Sequence, residues 1–514
     1  MDGSLDSPGS TIPDAPTWDY DPEGSKGDFA RLIPVSHSAR AAFNEVVERF
    51  LTETGWMVHA RRFLYWAKLP QSNAASPEFK WCGYYRLNME ILPDKLNLGW
   101  VLGGGRRALN PWAVDLLLVA RPGKYGVGGR HCILQHNQQT DALMVRASEK
   151  HEVVIDGKDT LVNGLHVLSS RTGIGIGSLS YRVEFTSLDP QIYSDQLASA
   201  RMVRGWPVKE VPPSFTPTPS ESAYAFKQYD FFPPTAGGIS SLVSFGSRRS
   251  TGDLVLLKKL KRTAANTMHV KREVAFLKFV KHPNVCGMAH DYLLDEDTAF
   301  APIKSNQFAE ISLVLEPATA YVMADTALQP PDISAVLASQ ILSGIAYLHD
   351  HGIMHRDVKP DNIGISLVPE PRAVVLDLGH ALHARTSSDH MAGTVRYLAP
   401  EVIALKARTS TKPYDFSVDI WCTGISLFEY LFQREIGWTQ VTAQAQAHAS
   451  LEKEVSNRVR LSDGYERNLL LSLLRMIEWE ASDRPSAKTL VDMIGAPDVQ
   501  SCQSNLGGKR RYPS

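Results

Sequence analysis

His355-Arg356-Asp357-Val358-Lys359-Pro360-Asp361-Asn362 occupies residues 355–362 of this chain, framed on both sides by regular structure. Upstream, Ile333, Val336, Leu337, Ile341, Ile345 and Leu348 keep a helical period. Asp332 is placed to cap that helix, and His351-Gly352 to end it. Downstream, Val374, Val375 and Leu376 read as a strand leading into Asp377-Leu378-Gly379, fifteen residues beyond Asn362. Turn chemistry explains any one of Asp357, Asn362 and Asp377 alone. It does not explain the ordered series.

The series resembles the catalytic core of eukaryotic protein kinases. Phosphoryl transfer from ATP rests on neutralising the phosphates and holding them in line with an acceptor hydroxyl, so positioning and electrostatics supply nearly all the catalysis. The resemblance implies that Asn362 and Asp377 hold magnesium, a hard cation that prefers oxygen ligands. It also implies that Asp357 orients the substrate hydroxyl and accepts its proton, while Lys359 reaches the transferring phosphate, as in kinases that modify Ser or Thr. Thr251-Gly252-Asp253-Leu254-Val255-Leu256-Leu257-Lys258 reads as a turn and an apolar strand ending in a lysine. It is similar to the kinase strand that delivers the phosphate-binding lysine, and Glu273, on the helical pattern that follows, is its implied ion-pair partner. Gly393 to Glu401 resembles the end of an activation segment, and Asp419 to Gly424 the buried helix after it. Arg484 is the implied partner of Glu401. Glu316 and Ala318 resemble the hinge whose backbone binds adenine.

Three departures from the family pattern stand out. In the stretch Ala236 to Val243, which by resemblance covers ATP with Gly238 and Val243, only the central glycine of the usual three is kept. Around the adenine position the residue sizes look exchanged, with Leu256 above and Gly364 below, a volume-conserving swap of the kind packing tolerates. Leu378 stands where the family has Phe and keeps an apolar contact toward Leu277. The loop before Gly393 offers Thr386, Ser387 and Ser388 as phosphosites, with Arg356 available to pair a phosphate.

Between about Trp81 and Thr186, short β-type runs recur between turn signals, an all-β sandwich pattern. The order Gly104-Gly105-Arg106-Arg107, Gly129-Arg130-His131, Val162-Asn163-Gly164 and Tyr181 to Phe185 resembles an FHA domain, the sandwich that reads phosphothreonine. The resemblance implies phosphate contacts from Arg106 or Arg107 and from a serine three residues before a histidine, but that serine position is Gly128. With such donors missing, a packing or regulatory sandwich is favoured over a phosphopeptide reader.

The remaining segments follow from composition. Residues 1–30 are acidic and rich in Pro, Gly and Ser, which predicts a disordered tail. Residues 31–80 predict a helical segment, with Phe43, Val46, Val47, Phe50 and Leu51 at helical spacing and Ser38 as a possible cap. Prolines and hydroxyls predict a linker over 189–224, and 496–514 read as a basic flexible tail.

A net charge of -1 gives no pull toward nucleic acid. The most apolar run, Trp112 to Ala120, is far short of the roughly 20 residues of a membrane helix, so no membrane partner is expected. Five scattered cysteines suggest reduced thiols and a cytoplasmic or nuclear protein.

Together these readings give a multidomain chain: an all-β FHA-like sandwich over 81–188, then an α+β bilobal protein kinase fold over 225–495. The expected function is transfer of the γ-phosphate of MgATP to Ser or Thr of a protein substrate, with a possible phosphoprotein partner at the sandwich. Two alternatives are open. One is a catalytically weak scaffold; the other is an adaptor that acts through phosphoprotein binding.

Overall fold

Alternation of buried and half-exposed positions builds the N-terminal half. In the strand Cys132–His136 the residues Cys132, Leu134 and His136 are buried while Ile133 and Gln135 are half-buried, the period of two that lets a strand bury one face. The computed structural model describes residues 27–52, 58–69, 79–96, 99–105, 114–186, 188–204, 224–226, 228–232, 236–237, 241–289, 300–304, 307–367, 370–436 and 444–498. Within them, one seven-stranded sheet runs in the order Leu64–Lys68, Trp81–Asn88, Asp28–Pro34, Leu179–Phe185, Gly173–Ile176, Val153–Ile155, Asp159–Leu161. A five-stranded sheet runs Leu165–Val167, Leu143–Ala147, Cys132–His136, Trp100–Gly103, Leu116–Leu117. Both sheets feed one buried cluster, in which Leu32, Tyr181 and Val183 of the first meet Trp100, Leu134 and Val145 of the second.

Three boundaries differ from the sequence expectation. The acidic tail stops short of residue 30, because Asp28–Pro34 is an inner strand between Trp81–Asn88 and Leu179–Phe185. Asp28 is buried and binds Arg86 Nε at 2.9 Å and Asn88 Nδ2 at 2.9 Å, an ion pair that an acidic count cannot see. Residues 31–80 are not a separate helical unit. The helix His37–Thr52 packs Phe43, Val46, Val47 and Phe50 into the sandwich cluster, and Leu64–Lys68 pairs with Trp81–Asn88, so the sandwich begins at residue 28 rather than 81. Ser36, not Ser38, caps that helix, accepting from the Ala39 amide at 3.1 Å.

The third difference is at the linker, whose first part is the helix Pro190–Val203. Asp189 caps it through the amides of Gln191 and Ile192, and proline suits the first helical position. Tyr193, Leu197 and Ala200 join the sandwich cluster, and buried Arg201 pairs with buried Asp141. Residues 205–223, most of the expected linker, lie outside the described residues, as do the Arg106 and Arg107 positions and the basic tail beyond 498.

The C-terminal half opens with a seven-stranded antiparallel sheet, in which Ser241–Arg248, Leu254–Thr263 and Phe308–Glu316 are successive neighbours. The helix Thr267–Phe279 packs Val270, Val274 and Leu277 beneath it. The sandwich touches the turn of this sheet at residues 249–254. The Val167 amide donates to Arg249 O at 2.7 Å, Thr140 Oγ1 to Gly252 O at 3.0 Å, and the Leu254 amide to Gln139 Oε1 at 3.4 Å.

A helical lobe follows, around the helices Pro331–Asp350 and Ser417–Phe432. Asp332 lies inside the first turn of Pro331–Asp350 and does not cap it; there its carboxylate meets the positive end of the helix dipole. This helix is more extended than any apolar run singled out in the sequence. It is long and apolar enough to cross a membrane by composition alone, yet most of it is buried inside the protein. Small antiparallel pairings, Ile363–Ser366 with Arg372–Val375 and Ile353–Met354 with Leu382–His383, carry the polar loops to the cleft between the two lobes.

Candidate active site

Lys258 sits on the interior strand Leu254–Thr263, opposite Val243 and Leu313, with its ammonium on the side of the sheet that faces the helix Thr267–Phe279. Its Nζ lies 2.7 Å from Glu273 Oε1, on the helix Thr267–Phe279, and 3.0 Å from Asp377 Oδ1. One cation thus ties the strand, the helix and the loop after Arg372–Val375 together. Burial alone would lower the Lys258 pKa, but the Asp377 and Glu273 carboxylates outweigh it and hold the ammonium charged. Burial pushes the Asp377 pKa up, but Lys258 leads the opposing pull, and the net shift is downward. Asp377 has a left-handed backbone, φ 57°, and its side chain accepts from the Gly379 amide at 3.3 Å. Leu378 is buried in the same cluster as Leu277.

Across the cleft, Asp357 is buried to 6% exposure within a ring of donors. Oδ1 accepts from Thr394 Oγ1 at 2.8 Å; Oδ2 accepts from Asn362 Nδ2 at 3.0 Å and lies 3.3 Å from Lys359 Nζ. Lys359 also donates to Thr394 Oγ1 at 3.0 Å. Asn362 Nδ2 gives a second bond to Asp357 O at 2.8 Å. With its nitrogen committed twice, the Asn362 side chain keeps its oxygen for another partner, while the hydrogen bonds on Asp377 fall on Oδ1. An amide oxygen and a carboxylate oxygen are the hard donors that suit magnesium, so the residues fit that ion.

Beneath this ring stands Asp419, fully buried in the helix Ser417–Phe432. It accepts from the amides of His355 at 2.8 Å and Arg356 at 2.7 Å, and from His349 Nε2 at 2.9 Å. Arg356 takes φ 68°, a backbone form costly for a side-chain-bearing residue, so these bonds hold the catalytic-loop turn in a shape it would not choose alone. Arg484 binds Glu401 with both terminal nitrogens, at 2.7 and 3.0 Å, and lies over the Trp421 ring.

Among the remaining expected nucleotide contacts, Val243 lies opposite Lys258 and Ala318 is buried. The Glu316 side chain pairs with Arg248 at 2.5 Å. Gly238 lies outside the described residues. The exchange of sizes at Leu256 and Gly364 involves a third residue that sequence reading missed. A Cβ on Gly364 would come 2.1 Å from Thr319 Oγ1, so buried Thr319 fills the space left by the missing side chain. Thr394, which bonds both Asp357 and Lys359, was likewise missed. Thr394 follows the quoted Gly393, and only the folded loop brings it to Asp357.

At the sandwich, Gly128 does not leave an open phosphate pocket. A Cβ there would lie 2.1 Å from His151 Nε2, and the His151 ring stacks on His131 at 4.8 Å. His131 is itself committed, accepting from the Gly128 amide and bonding the Glu152 carbonyl.

The protein kinase domain family matches residues 236–493. Three similar curated proteins are named as kinases. Serine/threonine-protein kinase 36 of Pongo abelii is 29% identical over 191 residues, which cover 36% of this chain and 13% of that protein. A probable myosin light chain kinase of Dictyostelium discoideum is 29% identical over 208 residues, covering 38% and 48%. Serine/threonine-protein kinase ULK3 of Homo sapiens is 25% identical over 280 residues, covering 52% and 55%. The matched stretches thus span from about an eighth to about half the length of these relatives.

Proposed function

The chain belongs to the protein kinase family, and from that premise we propose that it transfers the γ-phosphoryl group of ATP to Ser or Thr hydroxyls of a protein substrate. The observation that carries this reading is the position of Lys258, bonded at once to Glu273 and Asp377 across the cleft from Asp357. Lys258 meets the α and β phosphates, with Glu273 fixing its direction. Asn362 and Asp377 would hold magnesium, and the ion would supply neutralisation of the charge that develops on the phosphate. Asp357 turns the acceptor hydroxyl toward the phosphorus and takes its proton. Thr394 and Asn362 orient Asp357 through their hydrogen bonds to its two carboxylate oxygens. Lys359, within reach of Asp357, steadies the transferred group. The backbone of Glu316 and Ala318 receives adenine between Leu256 and the Thr319-filled floor.

The sandwich serves this kinase as a packing and regulatory unit. Two features support that reading over phosphothreonine binding: His151 occupies the space next to Gly128, and the sandwich loops bond the 249–254 turn. A cytoplasmic or nuclear location accords with free Cys82, Cys132, Cys286 and Cys422. The test is transfer of labelled phosphate from MgATP to a generic Ser/Thr peptide. Transfer by the intact chain supports the reading; its absence, with no thermal shift on adding MgATP, overturns it.

A further inference from the structure

Arg356 is the junction of three loops. Its guanidinium is 5% exposed. Nε donates to His380 O at 2.8 Å, just past the Asp377 turn; Nη1 donates to Asp389 Oδ2 at 2.9 Å and to Tyr414 Oη at 3.2 Å. Since Asp357 is the next residue, whatever fixes Arg356 fixes the catalytic carboxylate.

Asp389 is itself held in place for this contact. Its Oδ1 accepts from the Met391 amide at 3.0 Å, its amide donates to Ser387 Oγ at 3.1 Å, and its carbonyl accepts from Tyr414 Oη at 2.6 Å. Ser387 and Tyr414 exchange both backbone hydrogen bonds at 2.9 Å. The loop that leads to Thr394 is therefore pinned on both sides of Asp389. The sequence suggested that a phosphate on Thr386, Ser387 or Ser388 would pair with Arg356. In the folded chain a carboxylate already occupies that place.

We propose that Asp389 is a positioning residue for phosphoryl transfer: a built-in anion that locks Arg356 and the 387–394 loop, so that transfer needs no phosphate on that loop. The inference rests on the kinase reading above. A nearly buried guanidinium that loses its carboxylate is left with an uncompensated charge, and the loop that carries Thr394 loses its anchor. A phosphate two residues away on Ser387 would add negative charge beside Asp389, so it would compete for Arg356 rather than supply a missing partner.

The experiment uses the full chain, treated with a broad phosphatase and checked by mass spectrometry for an unphosphorylated 384–394 segment. Transfer to a Ser/Thr peptide is measured for wild type, Asp389→Ala, Asp389→Asn and Asp389→Glu. Amide hydrogen exchange of residues 385–394 is measured in parallel. Dephosphorylated wild type is expected to keep its activity. Asp389→Ala and Asp389→Asn are each expected to lose kcat by roughly tenfold or more, with little change in KM for ATP, and to exchange faster across the loop. Asp389→Glu is expected to recover most of that loss, which a purely structural role would not require. Phosphatase that silences wild type, or an Asp389→Ala protein as active and as protected as wild type, overturns the proposal and leaves the kinase reading standing. Wild type inactive in every form, phosphorylated or not, overturns both.

Discussion

The carboxylate of Asp419 accepts the backbone amide hydrogen of Arg356 at 2.7 Å, from a helix that reaches it through fully buried surroundings. Hydrogen bonds to a buried charge are worth about 1.5–3 kcal/mol each, and an unsatisfied amide adds its own penalty. Asp419→Asn keeps the shape but removes the charge and turns one acceptor into a donor. It is expected to lower unfolding free energy by roughly 2–3 kcal/mol and to reduce transfer, because the turn at Arg356 relaxes. Denaturant unfolding of the two proteins checks this; equal midpoints would contradict it.

The Arg484 and Glu401 pair allows stability to be separated from chemistry. Arg484 also donates to Glu478 O, Trp479 O and Ser417 O. Lysine cannot reproduce that planar fork. Arg484→Lys is expected to cost about 2 kcal/mol of stability while KM for ATP in the surviving folded fraction stays unchanged. A shift in melting temperature with constant KM is the result to look for.

Acid and alkali are expected to act on opposite members of the Lys258 and Asp377 pair. The folded-state pKa of Asp377 is depressed below its ordinary value of 3.8, so the pair's contribution is full above that value and fades as pH falls through the folded pKa. The Lys258 pKa is raised above 10.5, so its contribution is full below that value and fades as pH rises through the folded one. Unfolding midpoints between about pH 3 and pH 7 should fall on acidification for wild type and fall less for Asp377→Asn. Parallel curves would contradict the assignment.

How much of this was legible in the sequence depended on whether the relevant residues were close in the chain. Asp357, Lys359 and Asn362 sit in one octapeptide, and Lys258 with Glu273 follow a strand and a helix in order. Those positions could be placed by motif. Gly364 is 45 positions from Thr319, and Gly128 is 23 from His151; both are pairs in which a side chain fills a glycine's space, and no local pattern announces them. The inner strand Asp28–Pro34 was lost for the same reason, since its partners lie at 81–88 and 179–185. Local composition gave Asp28 to the tail, whereas the sheet gives it to Arg86.

The contact of His151 with Gly128 can be measured directly. Gly128→Ser, which inserts the serine expected in phosphothreonine-reading sandwiches, is expected to destabilise the chain by about 1–3 kcal/mol through overpacking. His151→Ala in the same chain should relieve most of that cost, giving a coupling energy well above zero in the double-mutant cycle. Additive effects would show that the ring does not occupy that space.

The most direct test of the account compares wild type with Asp357→Ala and Asp377→Ala in two assays: MgATP binding by thermal shift, and phosphate transfer to a Ser/Thr peptide. Wild type is expected to show both. Asp357→Ala should keep the MgATP shift and lose transfer by several orders of magnitude, while Asp377→Ala should lose the magnesium-dependent part of binding as well. Transfer that survives Asp357→Ala, or a wild type with neither binding nor transfer, would contradict the division of roles on which the proposed kinase mechanism stands.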